Sequence, residues 1–300
     1  MSAHPGDPRS APPAGSIHAH TALGAVGLTV ADPERLRAFY EEAVGLRTLE
    51  RAEACVRLGA APGRPLVELR GDPAAPPRPP RSTGLFHLAL LVPSRAELAL
   101  ALRRVVAAGW RFTGASDHLV SEALYLGDPE GNGIEIYRDR PRSEWPRAGG
   151  ELRMETLPLD LERVMRELPD GDEADGLGRA ARLGHVHLQV ADLAQAGRFY
   201  EGVLGFDVTV RSYPGALFLS AGGYHHHIGL NTWASAGAPS PPPGARGLRC
   251  FEVVLPDEAE LERIARRVAA AGLEAERGER GLLVADPSGN RVLLRAAGDG

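Results

Sequence analysis

The chain of 300 residues repeats itself, and this repeat restricts the possible folds more than any other feature of the sequence. The segment LGAVGLTVADPERLRAFYEEAVGL at 23–46 aligns without gaps with LGHVHLQVADLAQAGRFYEGVLGF at 183–206. A second kind of segment also occurs twice, beginning with GLFHLALLVPSR at Gly84 and with GLRCFEVVLPDE at Gly247. Self-similarity on this scale indicates duplicated supersecondary units. Four modules of two alternating kinds follow, near residues 20–72, 84–140, 181–233 and 246–296.

Each module has the same predicted order of elements. A short strand such as HVHLQV comes first, and its alternation of polar and apolar residues is typical of a half-buried strand. An acid or a serine then suits a helix N-cap, and a glycine suits the end of that helix. The N-cap candidates are Asp32, Ser94, Asp192 and Asp257, and the glycines are Gly45, Gly109, Gly205 and Gly272. Two or three strands joined by Gly- and Asn-rich turns complete a βαβββ unit.

The units must associate, because a single open sheet of this size cannot bury one of its faces alone. Two paired units form a cup around a cavity, where a ligand would sit. The predicted fold class is therefore α+β, with four βαβββ modules forming two cupped, barrel-like mixed sheets. Along the chain we predict a mobile tail at 1–19, a domain of two modules at 20–140, a linker at 141–180 with a helix around 159–168, and a second two-module domain at 181–300.

The composition argues against several classes of partner. The chain has 34 arginines, no lysine and 39 acids, for a net charge of −5, so we expect no nucleic-acid partner. The longest apolar run is far too short to cross a bilayer, so we expect no membrane partner. Two cysteines, Cys55 and Cys250, cannot build a disulfide framework, and we expect a cytoplasmic location. Homo-oligomerisation is left open.

The helices ending in FYEEAVGL and FYEGVLGF, together with the segment DPEGNGIEIY, resemble the vicinal-oxygen-chelate superfamily. This superfamily includes glyoxalases, fosfomycin-resistance proteins and extradiol ring-cleaving dioxygenases. More narrowly, GLFHLALLVPSR, SDHLVSEALYLGDPEGNGIEIYRDRP and GGYHHHIGLNTW are similar to bacterial proteins of the catechol-2,3-dioxygenase type. The resemblance covers about residues 20–296 and implies the vicinal-oxygen-chelate fold and a metal-dependent reaction.

The resemblance implies that metal ligands come from the first and last strands of two paired modules. The corresponding positions here are Ala25, His87, His185 and Cys250 on first strands, and Glu68, Glu135, Gly229 and Leu293 on last strands. If module 1 pairs with 2 and module 3 with 4, each cup receives one histidine. If module 2 pairs with 3 and module 1 with 4, one cup receives His87, His185 and Glu135, and Gly229 leaves space beside them. We favour the second pairing because it gathers the reactive residues, although the linkers permit both.

Two histidines and one carboxylate are the ligands of non-haem Fe(II) oxygenases, which keep open coordination positions on the metal. We therefore expect Fe(II) at His87, His185 and Glu135, with Mn, Ni or Zn as alternatives. The expected reaction is that of an extradiol dioxygenase, with a small catechol-like aromatic diol and O₂ as substrates.

The run of three histidines at 225–227 lies where the resemblance implies a histidine that takes a proton from the substrate. Alternation along a strand would turn His225 and His227 to the same face as Gly229 and turn His226 away. His227 is thus the first candidate for this catalytic role and His225 the second.

Two further catalytic candidates follow from the resemblance. Tyr125, ten residues before Glu135, matches a tyrosine that binds the substrate oxygen. His118 lies near a second histidine position of the family, with a register that is off by about two residues. On one strand, the side chains of Tyr125 and His118 would point to opposite faces of the sheet, so both face the cup only if a bulge or bend intervenes.

Other interpretations remain open. A glyoxalase-type isomerase or thiol transferase would need two carboxylates, Glu68 and Glu135, under the first pairing. A non-catalytic protein that binds a small aromatic would need no metal. Three single positions also have other interpretations. Glu68 is compatible with an ion pair to an arginine, and Cys250 is compatible with a small buried hydrophobic residue. His187 is compatible with a residue that lines the cavity.

Overall fold

The structure is a computed structural model that describes residues 15–169 and 176–298. Module 1 comprises β1 (Ala22–Val30), α1 (Pro33–Phe39), β2 (Arg47–Ala52), β3 (Cys55–Ala61) and β4 (Arg64–Gly71). Module 2 comprises β5 (Gly84–Leu91), α2 (Arg95–Ala107), β6 (Phe112–Asp117), β7 (Ser121–Gly127) and β8 (Gly133–Asp139). The connection to the second half contains β9 (Arg147–Ala148), β10 (Glu151–Leu152), β11 (Leu157–Pro158) and α3 (Leu161–Met165). Module 3 comprises β12 (Arg182–Gln189), α4 (Leu193–Gly197), β13 (Asp207–Val210), β14 (Ala216–Ser220) and β15 (Ile228–Asn231). Module 4 comprises β16 (Gly247–Leu255), α5 (Glu258–Ala270), β17 (Ala275–Gly278), β18 (Gly281–Ala285) and β19 (Arg291–Ala296).

The predicted βαβββ order is confirmed in all four modules, and so are the predicted helix starts. The side chains of Asp32, Ser94, Asp192 and Asp257 each accept a hydrogen bond from the backbone N–H three residues later. These bonds satisfy amides that a helix leaves without an internal partner. Helices α1 and α4 continue as wider π turns that end at Gly45 and Gly205, whose φ angles of 89° and 93° favour glycine.

Two mixed sheets form, and each takes one module from either half of the chain. The nine-stranded sheet has the order β11-β6-β7-β8-β5-β12-β15-β14-β13, so module 2 pairs with module 3 through antiparallel β5 and β12. The eight-stranded sheet has the order β17-β18-β19-β16-β1-β4-β3-β2, so module 4 pairs with module 1. The favoured module pairing is therefore present, and the sheets do not correspond to the contiguous stretches 20–140 and 181–300.

The repeated motifs join the two sheets to each other. Tyr40, at the end of α1, donates its hydroxyl hydrogen bond to Asp128 in the turn before β8, over 3.3 Å. Tyr200 donates in the same way to Asp286 before β19, over 3.1 Å. Each bond connects a helix end in a module of one sheet with a turn in a module of the other sheet. Apolar side chains from all four modules then form one continuous buried core.

The structure bears on two predictions for segments outside the modules. Residues 1–14 of the predicted tail lie outside the described residues, but Ile17 is buried and its N–H donates to the Gly205 carbonyl over 2.7 Å. The packed chain therefore begins before residue 20, because an apolar side chain finds a site on module 3. The helix predicted around 159–168 is present as α3, and β11 adds the connection to the edge of the nine-stranded sheet.

Within the described part of the chain, no helix is long and apolar enough to span a bilayer.

Candidate functional site

The three expected metal ligands lie on three neighbouring strands of the nine-stranded sheet. Ala89 on β5 is in register with Glu135 on parallel β8 and with His185 on antiparallel β12. His87 is two residues before Ala89, on the same face of the sheet. The small Ala89 side chain is buried and lies between the glutamate and the histidine of the two neighbouring strands. Side chains from distant parts of the chain therefore converge on one point.

The three donor atoms form a nearly equilateral triangle. The carboxylate oxygen Oε2 of Glu135 lies 3.0 Å from Nε2 of His87 and 3.1 Å from Nε2 of His185. The two imidazole nitrogens are 3.3 Å apart. Among residues 15–169 and 176–298, this is one group of three His, Cys, Asp or Glu side chains with all donor atoms within 4.8 Å of one another. All three residues are buried.

This arrangement fits a metal ion. Ligands bound at about 2.1 Å with right angles between the bonds have donor atoms about 3.0 Å apart. The observed edges of 3.0–3.3 Å match one face of an octahedron, and all three residues belong to the lining of a cavity. Nε2 of His185 is the nitrogen that faces the other two donors, and its Nδ1 is buried without a hydrogen-bond partner among the described groups.

The protonation states also suit metal binding. Burial lowers the pKa of His185 to about 4 against the opposing influence of Glu135, so the ring is neutral at pH 7. Burial alone would raise the pKa of Glu135, but the two histidines outweigh it and hold this pKa well below its ordinary range. Metal ligation requires a neutral imidazole and an ionised carboxylate, and these are the states that the two pKa directions give His185 and Glu135.

An elongated cavity of about 240 Å³ opens above the three donors. This volume is smaller than the roughly 300–1,000 Å³ of sites for drug-sized ligands, which indicates a small ligand. Part of its wall is apolar or aromatic, formed by Phe86, Val120, Met154, Tyr213, Phe218 and Trp233, and polar side chains form the rest. Phe86 and Trp233 are partly exposed and have ring centres 5.5 Å apart, so they mark the mouth of the cavity.

Tyr125 and His118 both line the cavity and are joined by a hydrogen bond of 2.6 Å between the hydroxyl and Nε2. Nδ1 of His118 donates to the carbonyl of Glu155 over 2.6 Å, so in a neutral ring Nε2 accepts from the tyrosine. The two residues do not lie on one strand, because His118 follows β6 in the turn that contains Leu119, whereas Tyr125 lies on β7. Both side chains can therefore face the cup. Burial is the main reason why the pKa of Tyr125 is raised well above its usual value, and the charge of Glu135 adds to this effect.

The expected orientation of the three consecutive histidines is wrong. His226 lines the cavity, with its ring centre 4.1 Å from that of His185. His227 lies outside the cavity wall, and its Nδ1 accepts from the Ala221 N–H over 3.1 Å. His225 is fully buried behind His226. Alternation failed because β15 begins only at Ile228, so the three histidines belong to a loop without a period of two.

Gly229 leaves space, as predicted, but the ring of His187 fills it. A Cβ atom at Gly229 would lie 3.0–3.2 Å from three atoms of that ring. His187 pairs with His87 across the two central strands and lines the cavity, and its Nε2 is buried without a partner in the described structure. Burial lowers its pKa well below the ordinary value, so it adds a neutral polar group to the wall.

The second cup, formed by modules 1 and 4, contains an ion network. Glu68 is buried and accepts from Arg57 over 3.1 Å, from Arg280 over 3.3 Å and from Arg249 at close range. The arginine-paired alternative for Glu68 is the one observed. Cys250 is buried on β16, as expected for a small hydrophobe.

Several cavity residues had no role assigned from the sequence. Met154 and Thr156 are two of them, and they reach the cavity from the connection between the halves, which β11 fastens to β6. Neither stands in a repeated motif, so the internal repeat could not reveal them. Trp233 reaches the cavity from the end of module 3.

Comparison with known proteins agrees with this architecture. The family model described as the glyoxalase/bleomycin resistance protein/dioxygenase superfamily matches residues 19–136 and 182–294. The chain belongs to this superfamily. Its relatives include a protein of Bacillus subtilis (strain 168) named catechol-2,3-dioxygenase, which is 46% identical over 276 residues, 91% of this chain and 96% of that protein.

Solved structures of the superfamily share the fold at much lower sequence identity. A Bacillus subtilis protein described as a proposed dioxygenase superposes with a TM-score of 0.65 at 15% identity, covering 93% of this chain and 86% of that one. Glyoxalase I of Zea mays superposes with a TM-score of 0.57 at 17% identity, covering 91% of this chain and 92% of that one. Since superfamily members carry different reactions, the activity of this chain must be argued from its site.

Proposed function

We propose that this protein is an extradiol dioxygenase that opens the ring of a small, uncharged catechol with O₂. The observation that carries the proposal is the buried triangle of His87, His185 and Glu135 beneath an apolar cavity. Two histidines and one carboxylate leave several coordination positions of a metal free, which is the arrangement used by non-haem Fe(II) oxygenases. The name of the Bacillus subtilis relative supports the same reaction.

The three ligands would hold Fe(II), with Mn, Ni or Zn as alternatives. Bound there, the metal supplies the positions that bring diol and O₂ together and the redox chemistry of ring opening. The remaining work belongs to protein side chains, which must orient the diol, handle its protons and exclude water. The apolar and aromatic part of the wall contributes to the last of these, because its side chains offer water no hydrogen-bond partner.

Two polar groups are placed to handle the hydroxyl protons of the diol. His226 stands against the ring of His185 at the cavity wall and has its pKa lowered well below the ordinary value by burial, so it enters the reaction as a neutral base. The Tyr125 hydroxyl donates a hydrogen bond to Nε2 of His118, which leaves the lone pairs of its oxygen free to accept from the substrate. We assign the proton-accepting role to His226 in place of His227.

The charge of the cavity wall restricts the substrate. Within the described residues, no arginine lines the cavity, and the chain has no lysine. A carboxylate substituent on the ring would be buried without a counter-charge, which is costly. The site therefore favours catechol and alkyl catechols over dihydroxybenzoates.

The main alternative, a glyoxalase-type reaction, needs a second carboxylate ligand. Glu68 was its candidate, but Glu68 belongs to the other sheet and is bound by three arginines. The geometry thus supports the dioxygenase proposal over this alternative.

The test is anaerobic reconstitution of the purified protein with Fe(II), followed by catechol and air. We expect a yellow ring-opened product, with O₂ consumed in equal amount. His87→Ala and Glu135→Ala should abolish both turnover and iron retention, whereas His20→Ala, which removes an exposed histidine, should not. A 3,4-dihydroxybenzoate should react at least about tenfold less efficiently than 4-methylcatechol.

Metal analysis of protein purified without chelator identifies the ion that is held. The proposal fails if the iron-loaded protein turns over none of a broad set of catechols. It also fails if the two alanine variants keep full activity, because the reaction would then occur elsewhere in the protein.

A further inference from the structure

A chain of hydrogen bonds runs behind the cavity from His226 to Asp139, the last residue of strand β8. Nδ1 of His226 lies 2.7 Å from Nδ1 of His225, and Nε2 of His225 lies 2.8 Å from Oδ1 of Asp139. His225 is fully buried, whereas the Asp139 side chain is 24% exposed. The proposed reaction uses His226 but assigns nothing to the two residues behind it.

The direction of these bonds follows from what each group can do. An ionised carboxylate can only accept, so the proton on His225 that faces Asp139 must be on Nε2. A neutral His225 then has a lone pair on Nδ1, and the short contact to His226 requires a proton on the Nδ1 of His226. His226 is left with a lone pair on Nε2, the nitrogen at the other end of the ring.

Several contacts hold this chain in place. Tyr224 donates to the same Oδ1 of Asp139 over 3.1 Å, and its ring centre lies 4.0 Å from that of His225. Trp145 covers His225 from the connection between the halves, with ring centres 5.2 Å apart. Thr209 donates to the backbone carbonyl of His225 over 2.6 Å. With these contacts, neither the carboxylate nor the first imidazole can turn freely.

We propose that Asp139 and His225 are positioning residues that fix the tautomer of His226. They keep its proton on Nδ1, so that Nε2 presents a hydrogen-bond acceptor to a substrate hydroxyl in the cavity. This inference rests on the proposed function for its catalytic consequence, but the tautomer is a property of the protein itself. The arrangement uses one histidine to orient another, with a carboxylate at the outer end.

The first test measures the tautomer without metal or substrate. In metal-free protein labelled with ¹⁵N in its histidine rings, two-bond ¹⁵N–¹H correlation spectra distinguish a protonated ring nitrogen from an unprotonated one. We expect His226 to be protonated on Nδ1 and unprotonated on Nε2, with assignment by the His226→Gln spectrum. A proton on Nε2 of His226 would overturn the proposal, whether or not the protein is a dioxygenase.

The second test changes Asp139 to Asn. An amide nitrogen can donate where the carboxylate could only accept, which permits the whole chain of bonds to reverse. We expect an Nε2-protonated population of His226 to appear and kcat with catechol to fall about 10- to 100-fold. KM and bound iron should change little, since neither ligands nor cavity wall are altered.

His227→Asn is the matched control, since asparagine can accept from Ala221 as Nδ1 does and the residue lies outside the cavity wall. It should keep both the tautomer of His226 and the value of kcat. If Asp139→Asn keeps kcat and the tautomer of the wild-type protein, Asp139 does not position His226. If the wild-type protein shows the expected tautomer but no turnover, the proposed function fails while the structural inference stands.

Discussion

Two equivalent hydrogen bonds tie the sheets together, and removing one of them should measurably weaken the fold. Tyr200→Phe deletes only the hydroxyl that Asp286 accepts over 3.1 Å. Both side chains are almost completely buried, and burial is the main reason why the pKa of Asp286 is raised. The carboxylate therefore loses a donor that water cannot replace.

The size of the effect follows from the kind of bond. A hydrogen bond to a charged group contributes about 1.5–3 kcal/mol, and the loss should fall in that range because Asp286 keeps its bonds from Ser288 and Asn290. An unfolding entropy of about 2.1 cal/mol/K per residue gives about 0.6 kcal/mol/K for this chain, so 2 kcal/mol corresponds to a Tm lower by about 3 °C. Tyr40→Phe should cost less, since its bond to Asp128 is longer at 3.3 Å.

Urea unfolding followed by tryptophan fluorescence and circular dichroism measures the free energy of unfolding of each variant. The control is Tyr213→Phe, whose hydroxyl meets Thr156 over 3.0 Å at an exposed position and should matter by less than about 0.5 kcal/mol. A double-mutant cycle of Tyr200→Phe with Asp286→Asn should show a coupling of about 1 kcal/mol or more. A loss for Tyr200→Phe no larger than that of the control would refute the proposed joining role.

Three further predictions concern the metal site and its surroundings. Fe(II) or Mn(II) at 100 times its Kd should stabilise the wild-type protein by about 2.7 kcal/mol, which corresponds to a Tm higher by about 4 °C in differential scanning fluorimetry. A chelator should reverse this shift, and His185→Ala should show none. Gly229→Ala should push the ring of His187 toward the cavity, which raises KM for catechol more than it lowers kcat in steady-state kinetics; an unchanged KM would mean that the ring has other room. Glu68→Ala should remove the shared partner of three half-exposed arginines, of which Arg57 and Arg280 keep Glu50 and Glu252, and cost about 1 kcal/mol in urea unfolding, with iron binding unaffected; lost iron would place a ligand in the second cup.

Much of the fold was predictable from local pattern. The repeat located four modules, and the positions of Asp32 and Gly45 were assigned correctly because capping and left-handed turns depend on a few adjacent residues. The pairing of modules depended on a different kind of argument. Both pairings satisfied the local rules, and the favoured one rested on the grouping of His87, His185 and Glu135.

The side chains around the metal positions were predicted less well. His226 was assigned to the wrong face because strand alternation was extended into a loop, where successive residues have no fixed alternation. Asp139 received no role, since its partner His225 lies 86 residues later and no spacing rule links them. Both errors concern orientations that are set by packing.

The sequence by itself determined the module, its helix boundaries and the residue types able to bind a metal, because these depend on periodicity and chemistry along the chain. Only the tertiary structure decided which modules share a sheet, which histidine faces the cavity and which carboxylate lies behind it. Those choices depend on hydrogen-bonded contacts between residues far apart in sequence. They also depend on the space that neighbouring residues leave. Gly229 has no side chain and so admits the ring of His187, and the connection between the halves covers the cup.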